Sequence, residues 1–393
     1  MEQGKNNTEI HWQWIGVLAV VHAAFALIYG VQTMADSKGY ISAGKDLIGF
    51  WNSAHVLRTP GYPAFVALCG SYYPLIIVLQ HAMVIWMAWL AFRLVEPVDE
   101  RAAKITFWAI GLHPWFAYWA NAIMTEILAA ICIVGVLYLL FRQHPVWAGL
   151  LTGYAILVRP ASLPALLALV AGSYLYTRKK RDVALAVLAS TLVLAPWLAR
   201  NYRNANYIGI SPIGEMTLWS KYAALTGIEP DLVWPEIDRV IQEKGEVGGN
   251  HYFKQQAFQI IQQHPIGALA LNIRSAKAFL AYDLVSLVPS IQQDWNKPLS
   301  DNTMLVLALK IFFQYILPLT ALSLFVYGAL LSYRETNMAV ALIMLSGLVA
   351  VIQFVGIGDT RLRIPSEPLF MIFIALGVST YVSKRKEPMI GLS

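Results

Sequence analysis

Long apolar runs make up most of the chain, and short polar segments separate them. Runs of about 17–25 apolar residues can cross roughly 30 Å of hydrocarbon as α-helices. Their succession predicts an all-α polytopic membrane protein with a bundle of about ten transmembrane helices. The two short spans that meet at Arg159–Pro160 could instead form a re-entrant pair of helices that does not cross the membrane. The predicted spans are residues 12–33, 73–95, 104–121, 124–141, 146–158, 161–177, 183–199, 303–333, 337–356 and 365–382.

Two segments between these runs mix polar and apolar residues. The first, residues 34–72, ends in an apolar tail too short to span, which predicts a helix at the membrane interface. The second, residues 200–302, has apolar residues at helical spacing on both sides of Pro265, which predicts amphipathic helices in an outer cap. Because the sequence shows neither a repeat nor a linker, residues 1–393 are interpreted as a single membrane domain.

Basic residues predict the orientation of the chain. They concentrate in the short segments that face the cytosol if both termini are cytosolic, most densely at Arg178–Arg181. The composition is 58% hydrophobic and 13% charged, and the net charge is +6. Such a charge would suit nucleic acid, but basic residues at span ends are what membrane topology itself requires. We therefore expect a multi-pass membrane protein with no nucleic-acid partner.

Five arginines nevertheless fall at the outer ends of spans or just beyond them, on the side that should be poor in them. A guanidinium is a planar fork that stays charged and binds phosphate in a bidentate manner. The group predicts a phosphate site at the depth of the lipid headgroups. For each arginine taken alone, a side chain that snorkels to the headgroups is the alternative. The five are Arg58, Arg159, Arg200, Arg361 and Arg363.

Two carboxylates accompany these arginines. Asp36 follows the first span and could deprotonate an acceptor hydroxyl as a general base, or could cap the next helix with help from Ser37. Glu126 lies near the outer start of the fourth span, where an isolated acid is costly, so we expect it to pair with an arginine. It is either a second acid or a residue that orients a guanidinium. The histidines, His55 among them, show no metal-ligand spacing.

These residues, in this order, resemble the GT-C membrane glycosyltransferases, in particular the bacterial branch related to the protein mannosyltransferases and the lipid A aminoarabinose transferases. The similarity covers nearly the whole membrane part. Seven motifs in the family's order are more specific than any one alone. The motifs are Asp36 with Tyr40, "RTPGYP" (58–63), "HPWFAYWANAIMTE" (113–126), "LVRPAS" (157–162), "APWLARNYRNANYIG" (195–209), "QQHPIGALAL" (262–271) and "GDTRLRIPSEP" (358–368).

The resemblance implies a GT-C-like bundle and a transferase that takes a hexosyl or pentosyl group from a polyprenyl-phosphate carrier. The acceptor hydroxyl would belong to a glycan, a lipid or a protein. The reaction would occur on the outer face of the bacterial cytoplasmic membrane, among membrane lipids. Asp36 would be the base and "GDTRLRIP" part of the donor-phosphate site, with Tyr40, His55 and Tyr62 as supporting residues of the site.

One departure from the family concerns metals. Many relatives carry two consecutive acids in the first outer loop, whereas Ser37 follows Asp36 here. Whether carboxylates bind a divalent metal here is therefore an open question, and no other cofactor is expected. The cysteines, Cys69 and Cys132, both lie in apolar segments, which excludes a disulfide framework and a thiolate metal site.

The alternation in "TRLRIP" predicts how two of the arginines act. In extended backbone before Pro365, Arg361 and Arg363 point to the same side and could bind one phosphate together. Pro365 would then lie in the first turn of the last span, whose positive end would assist. Arg363 would contribute more because it lies nearer to the helix start.

Two other classes of protein would also use outer arginines. An O-antigen polymerase or ligase acts on lipid-linked glycans, but it would not need a lone carboxylate after the first span. A transporter of anions or lipids should show broken helices that meet at the bilayer midplane and are related by repeat symmetry. Both classes remain alternatives to the glycosyltransferase.

Overall fold

The computed structural model describes residues 12–163, 174, 179–280, 304–335 and 360–386, and every regular element among them is helical. Five stretches are long and apolar enough to cross a membrane, as expected of a helical membrane protein. Of the ten predicted spans, 337–356 and most of 161–177 lie outside the described residues. The five stretches are Trp12–Tyr29, Tyr73–Val95, Lys180–Ala205, Ala308–Leu330 and Arg361–Ser383.

The region after the first span differs from its prediction. The first helix ends at Tyr29 rather than at residue 33, since Gly30 turns the chain with a positive φ of 58°. Three short helices follow instead of a single interfacial one, and Asp36 lies in the loop that precedes the first of them. The helices of this part are α1 (Trp12–Tyr29), α2 (Ser37–Lys45), α3 (Leu47–Asn52) and α4 (Gly61–Leu68).

The next five helices form the core of the bundle. The predicted span 104–121 is wrong, because the chain breaks at His113 and starts a new helix at Pro114. A residue before proline is driven to extended backbone, while proline itself suits the first helical turn. The other predicted spans of this part are helical. The five are α5 (Tyr73–Val95), α6 (Glu100–Gly111), α7 (Pro114–Ala120), α8 (Glu126–Phe141) and α9 (Pro145–Val158).

Polar contacts inside this bundle connect α1 to its neighbours. The Nδ1 atoms of His22 and His81 lie 2.7 Å apart and share a hydrogen bond between α1 and α5. The His22 Nε2 donates to the carbonyl of Gly111 at 2.9 Å, which ties α1 to the end of α6. Buried polar groups that satisfy each other fix the relative positions of helices more specifically than apolar packing does. Helix α8 lies at the centre, with nearly all of its residues buried.

The polar region folds into helices with a hydrophobic core of their own. The Lys180–Ala205 helix continues past residue 199, so the predicted boundary at residue 200 is wrong and Arg200 is helical. The predicted break at Pro265 is confirmed. The Trp219 and Phe253 rings, with centroids 4.7 Å apart, lie in the core of this region. The helices are α10 (Lys180–Ala205), α11 (Ile213–Tyr222), α12 (Pro230–Gln263) and α13 (Pro265–Leu280).

The last part of the chain returns to apolar helices. A single π-helical turn, Phe312–Ile316, connects two α-helices into one continuous stretch. A 3₁₀ helix, Thr360–Ser366, leads into the final helix. The helices are α14 (Met304–Ile311), α15 (Leu317–Glu335) and α16 (Glu367–Lys386).

Candidate functional site

A short backbone bridge positions the loop that carries Asp36. The amide of Gln32 donates to the carbonyl of Asn121 at 2.8 Å, and the amide of Ile123 donates to the carbonyl of Gln32 at 3.1 Å. The hydroxyl of Ser37 adds a bond of 2.9 Å to the carbonyl of Ile123. The loop after α1 is therefore attached to the turn before α8, which brings Asp36 beside the start of α8.

The Asp36 carboxylate faces two arginines from distant parts of the chain. Arg361 donates from Nη2 to Oδ2 at 3.0 Å, and the Nη2 of Arg58 lies 3.7 Å from Oδ1. Asp36 precedes α2, but its side chain makes no capping hydrogen bond, so the capping alternative is wrong. The side chain is 45% exposed and can be reached from outside.

A second carboxylate lies beneath the first. Glu126 is fully buried at the first residue of α8, and its Oε1 accepts from Arg361 Nε at 2.6 Å and from Arg159 Nη1 at 3.0 Å. Arg159 also donates to the hydroxyl of Thr125 at 3.0 Å. The expectation that Glu126 pairs with an arginine is confirmed. Arg361 therefore bridges the two carboxylates, and removing it would leave a buried charge without one of its partners.

We call Asp36, Arg58, Glu126, Arg159 and Arg361 the charge cluster. Counted over these five side chains alone, three guanidinium groups and two carboxylates leave one positive charge in excess, which favours an anionic ligand. Two of its buried atoms, Glu126 Oε2 and Arg159 Nε, have no hydrogen-bond partner within the described part of the chain. Buried polar atoms are normally satisfied, so these two have bonding capacity for a bound molecule or for water.

The side chain of Arg58 packs against helix α2, at Gly39 and Tyr40. The guanidinium carbon of Arg58 is 5.5 Å from the centroid of the Tyr40 ring. A Cβ atom at Gly39 would come within 2.3 Å of that carbon, so glycine is what allows this close approach. Burial, reinforced by the charges of Glu126 and Asp36, raises the pKa of Tyr40 above its ordinary value. Its phenol therefore stays protonated at neutral pH.

Tyr62 packs against Tyr40. Its ring contacts the ring of Tyr40 with centroids 5.3 Å apart, and its hydroxyl donates to Oε1 of Gln80 at 2.9 Å. The amide nitrogen of Gln80 donates in turn to the carbonyls of Ala120 and Ala122 at 3.0 and 2.7 Å. The two tyrosines predicted as supporting residues are thus packed together and connected to the turn that precedes α8.

Arg363 does not join Arg361. The backbone of this segment is a 3₁₀ helix rather than an extended strand, and residues two apart in such a helix diverge by about 120°. Arg363 pairs with Glu367 and donates from Nη1 to the carbonyls of Phe279 and Leu280 at 2.8 and 2.7 Å. The predicted grip of both arginines on one phosphate is wrong. Pro365 also lies within the 3₁₀ helix, outside the final helix.

Arg200 is not available for phosphate either. It is buried, and its guanidinium stacks on the Trp197 ring at 4.5 Å. Four of its hydrogen bonds go to backbone carbonyls at the end of α3 and just beyond it, where helix carbonyls lack intrahelical partners. All five N–H groups are used, so the assignment of Arg200 to the phosphate site is wrong. The acceptors are the carbonyls of Phe50, Trp51, Ser53 and His55, at 2.6–2.8 Å, and Oδ1 of Asn201 at 2.9 Å.

His55 supports the first loop through a residue that the sequence did not single out. Its Nδ1 pairs with Oε1 of Glu246, while Oε2 of Glu246 accepts from the amides of Val56 and Leu57 at 2.7 and 3.1 Å. Glu246 lies in α12, 191 residues from His55. The glycine-rich stretch "GEVGGN" around it was the only local signal, and glycines alone do not indicate a partner.

The residues present do not favour a metal between the two carboxylates. Arg361 occupies the space between Asp36 and Glu126 and hydrogen-bonds to both. A cation there would have to displace a guanidinium. Within the described ranges, no group of three histidine, cysteine, aspartate or glutamate side chains is placed to hold a metal ion.

No protein-family model matches this chain, and no curated protein matches it at a significant level. Function must therefore be inferred from the charge cluster and from the residues that surround it.

Proposed function

We propose that the protein is a glycosyltransferase that moves a sugar from a polyprenyl-phosphate carrier to an acceptor hydroxyl, with Asp36 as the general base. One observation supports this more than any other. A partly exposed carboxylate, Asp36, faces two partly exposed arginines in a cluster with excess positive charge. A base beside a phosphate-binding pair is what transfer from a phosphorylated donor needs.

The donor phosphate would bind Arg58 and Arg361, whose side chains are 28% and 26% exposed. Both arginines also face Asp36, and a phosphate with more charge and bidentate geometry would compete for the same N–H groups. Donor binding would thus free the Asp36 carboxylate to accept a hydrogen bond from the acceptor hydroxyl. Arg159 and Glu126 would hold Arg361 in place from below.

In the transfer step, the proton of the acceptor hydroxyl goes to Asp36 and the acceptor oxygen bonds to the anomeric carbon. The bond between that carbon and the phosphate oxygen breaks. Its electron pair leaves on the carrier phosphate, where Arg58 and Arg361 stabilise the charge. The products are the glycosylated acceptor and polyprenyl phosphate.

The position of the cluster in the proposed topology gives the location. With both termini cytosolic, the reaction would take place at the outer face of a bacterial cytoplasmic membrane, where a lipid-linked donor is held at headgroup depth. The helices α11–α13 of the predicted cap 200–302 would contact the acceptor, which is a glycan, a lipid or a protein. A bundle of ten spans remains part of this proposal.

The test uses the purified full chain in lipid nanodiscs with a synthetic polyprenyl-phosphate hexose or pentose and a panel of acceptor hydroxyls. We expect release of polyprenyl phosphate that depends on an acceptor and is measured by chromatography of the extracted lipids. Donor that binds but is never cleaved would contradict the proposal. Passage of the donor across proteoliposomes would indicate a transporter instead, and joining of lipid-linked glycan chains would indicate a polymerase or ligase.

A further inference from the structure

The 53–58 loop, Ser53–Arg58, carries Arg58 into the charge cluster, yet residues far along the chain hold it. Arg200 donates to the carbonyls of Ser53 and His55 at 2.8 and 2.6 Å. The hydroxyl of Ser211 donates to the carbonyl of Leu57 at 2.6 Å. Arg58 is the last residue of this loop, so the position of its guanidinium depends on how the loop is held.

Glu246 makes the most direct of these contacts. One carboxylate oxygen pairs with the His55 ring, and the other accepts from two consecutive amides, those of Val56 and Leu57. Two successive N–H groups that point to one anion form a small concave site, and the bonds to the charged oxygen are strong. The side chain of Glu246 is only 19% exposed, which limits competition from water.

The structure of α12 is adapted to this contact. Gly245 interrupts the helix with φ 71° and ψ 170°, a conformation that favours glycine, and Glu246 follows the break. The segment after the break is fastened to α11, since the Asn250 side chain donates to the carbonyl of Glu246 at 2.7 Å and accepts from the amide of Met216 at 3.2 Å. Glu246 therefore projects from a supported backbone.

We propose that Glu246 is a positioning residue of the charge cluster. By holding His55, Val56 and Leu57, a contact that we call the latch, it sets where the guanidinium of Arg58 lies relative to Asp36. Opening the latch moves Arg58 and weakens the binding of an anionic ligand there. The coupling to a polyprenyl-phosphate donor rests on the proposed function, whereas the latch itself does not.

The latch depends on pH with a defined sign. Burial by itself raises the pKa of Glu246, but the bonds from His55, Val56 and Leu57 outweigh it and hold the pKa below its ordinary value. The stabilisation is complete above the ordinary glutamate range and is lost as the pH falls through the lowered pKa. The titratable and charged groups that act on Glu246 are the imidazole of His55 and the guanidinium of Arg200.

The first experiment measures hydrogen–deuterium exchange of a peptide that covers residues 53–58, in the full chain. In Glu246→Ala we expect protection of this peptide to fall by about tenfold or more, because the amides of Val56 and Leu57 lose their acceptor. Glu246→Gln keeps one acceptor oxygen and should give an intermediate result. The matched control is Glu243→Ala, since Glu243 is exposed on the same helix and pairs with Arg239.

The second experiment asks whether the latch acts through Arg58. We expect Glu246→Ala to raise the donor KM by about five- to tenfold with kcat within about twofold, and to have no further effect in an Arg58→Ala background. Unchanged protection would overturn the latch. Lost protection with unchanged KM, or a KM effect that persists without Arg58, would overturn the positioning role.

Two further measurements distinguish a failure of the latch from a failure of the proposed function. If the wild type transfers no sugar from any donor, the proposed function fails, while binding of inorganic pyrophosphate to wild type, Glu246→Ala and Arg58→Ala still tests the latch. Equal affinities in the three proteins would then contradict it. If Glu246→Ala does not fold, wild type and Glu246→Gln are compared across acidic pH. Protection should fall only in the wild type, and a parallel fall in both would contradict the role of Glu246.

Discussion

The arginines of this protein lie in two kinds of environment. In the charge cluster, Arg58, Arg159 and Arg361 face carboxylates, and Arg58 and Arg361 remain partly exposed. Arg200 and Arg363 are instead buried against the ends of α3 and α13, where they donate to backbone carbonyls, and Arg363 also pairs with the buried carboxylate of Glu367. The last carbonyls of a helix lack partners and carry the negative end of its dipole, so a guanidinium there completes the fold.

From this difference we expect a guanidinium that faces a partly exposed carboxylate and one that is buried against backbone carbonyls to respond differently to ligands. A carboxylate can be displaced by a phosphate of higher charge, and the arginine then changes partner. Backbone carbonyls cannot be displaced without unfolding the end of a helix. We therefore expect substitutions in the charge cluster to change catalysis and donor binding, and substitutions at the helix ends to change stability.

The largest expected effect comes from Asp36→Asn. This change keeps the size of the side chain but removes the proposed base, so we expect turnover to fall by about 10²-fold with little change in donor binding. Turnover is measured as release of polyprenyl phosphate at saturating donor. Asp46→Asn is the matched control, since Asp46 caps α3 through the amide of Gly49 and asparagine caps equally well. A variant that keeps more than a third of wild-type turnover would exclude Asp36 as the base.

The comparison of Arg361→Lys with Arg363→Lys should separate the two environments directly. Lysine keeps the charge but lacks the fork, so Arg361→Lys should raise the donor Kd by about tenfold, or about 1.4 kcal/mol. Arg363→Lys should leave the Kd within about twofold and lower the thermal stability instead. Donor binding is measured with a fluorescent polyprenyl-phosphate sugar. An equal loss of affinity in both variants would show that Arg363 also serves the ligand.

The smallest effect on function is expected for Arg200→Lys. An ammonium group cannot reach the five acceptors that the guanidinium satisfies, so we expect a loss of about 2 kcal/mol or more of stability. Thermal unfolding in detergent measures it, and the donor KM should stay within about twofold of the wild type. Exposed Arg239, which pairs with Glu236 and Glu243, provides the control as Arg239→Lys. A large rise in KM without a loss of stability would instead indicate that Arg200 binds the donor phosphate.

The helical membrane character could be predicted from the sequence because it depends on local composition. A long apolar run has few alternatives to a helix, and Tyr73–Val95 agrees with its predicted span. Errors occurred where one residue ends a helix inside an apolar run. Gly30 and Pro114 both do so, and the pattern of apolar residues continues across them.

The candidate site could be predicted only in part. The pairing of Glu126 with an arginine followed from the cost of a lone acid near the membrane, and the structure confirms it. The sequence did not predict the partner of each arginine, since Arg361 and Arg363 have the same charge and nearly the same position in the sequence. Glu246 was missed because its partners lie about 190 residues away.

The helical character of the chain and its apolar stretches long enough to cross a membrane followed from the sequence alone, and the sequence also predicted that arginines and two acids lie near one set of span ends. These properties depend on hydrophobic length and on the cost of charge in an apolar medium, which neighbouring residues set. Which guanidinium faces Asp36 and which is buried against a helix end depends on the tertiary structure. That choice depends on which backbone carbonyls lack partners when distant helices meet, and folding alone brings them together.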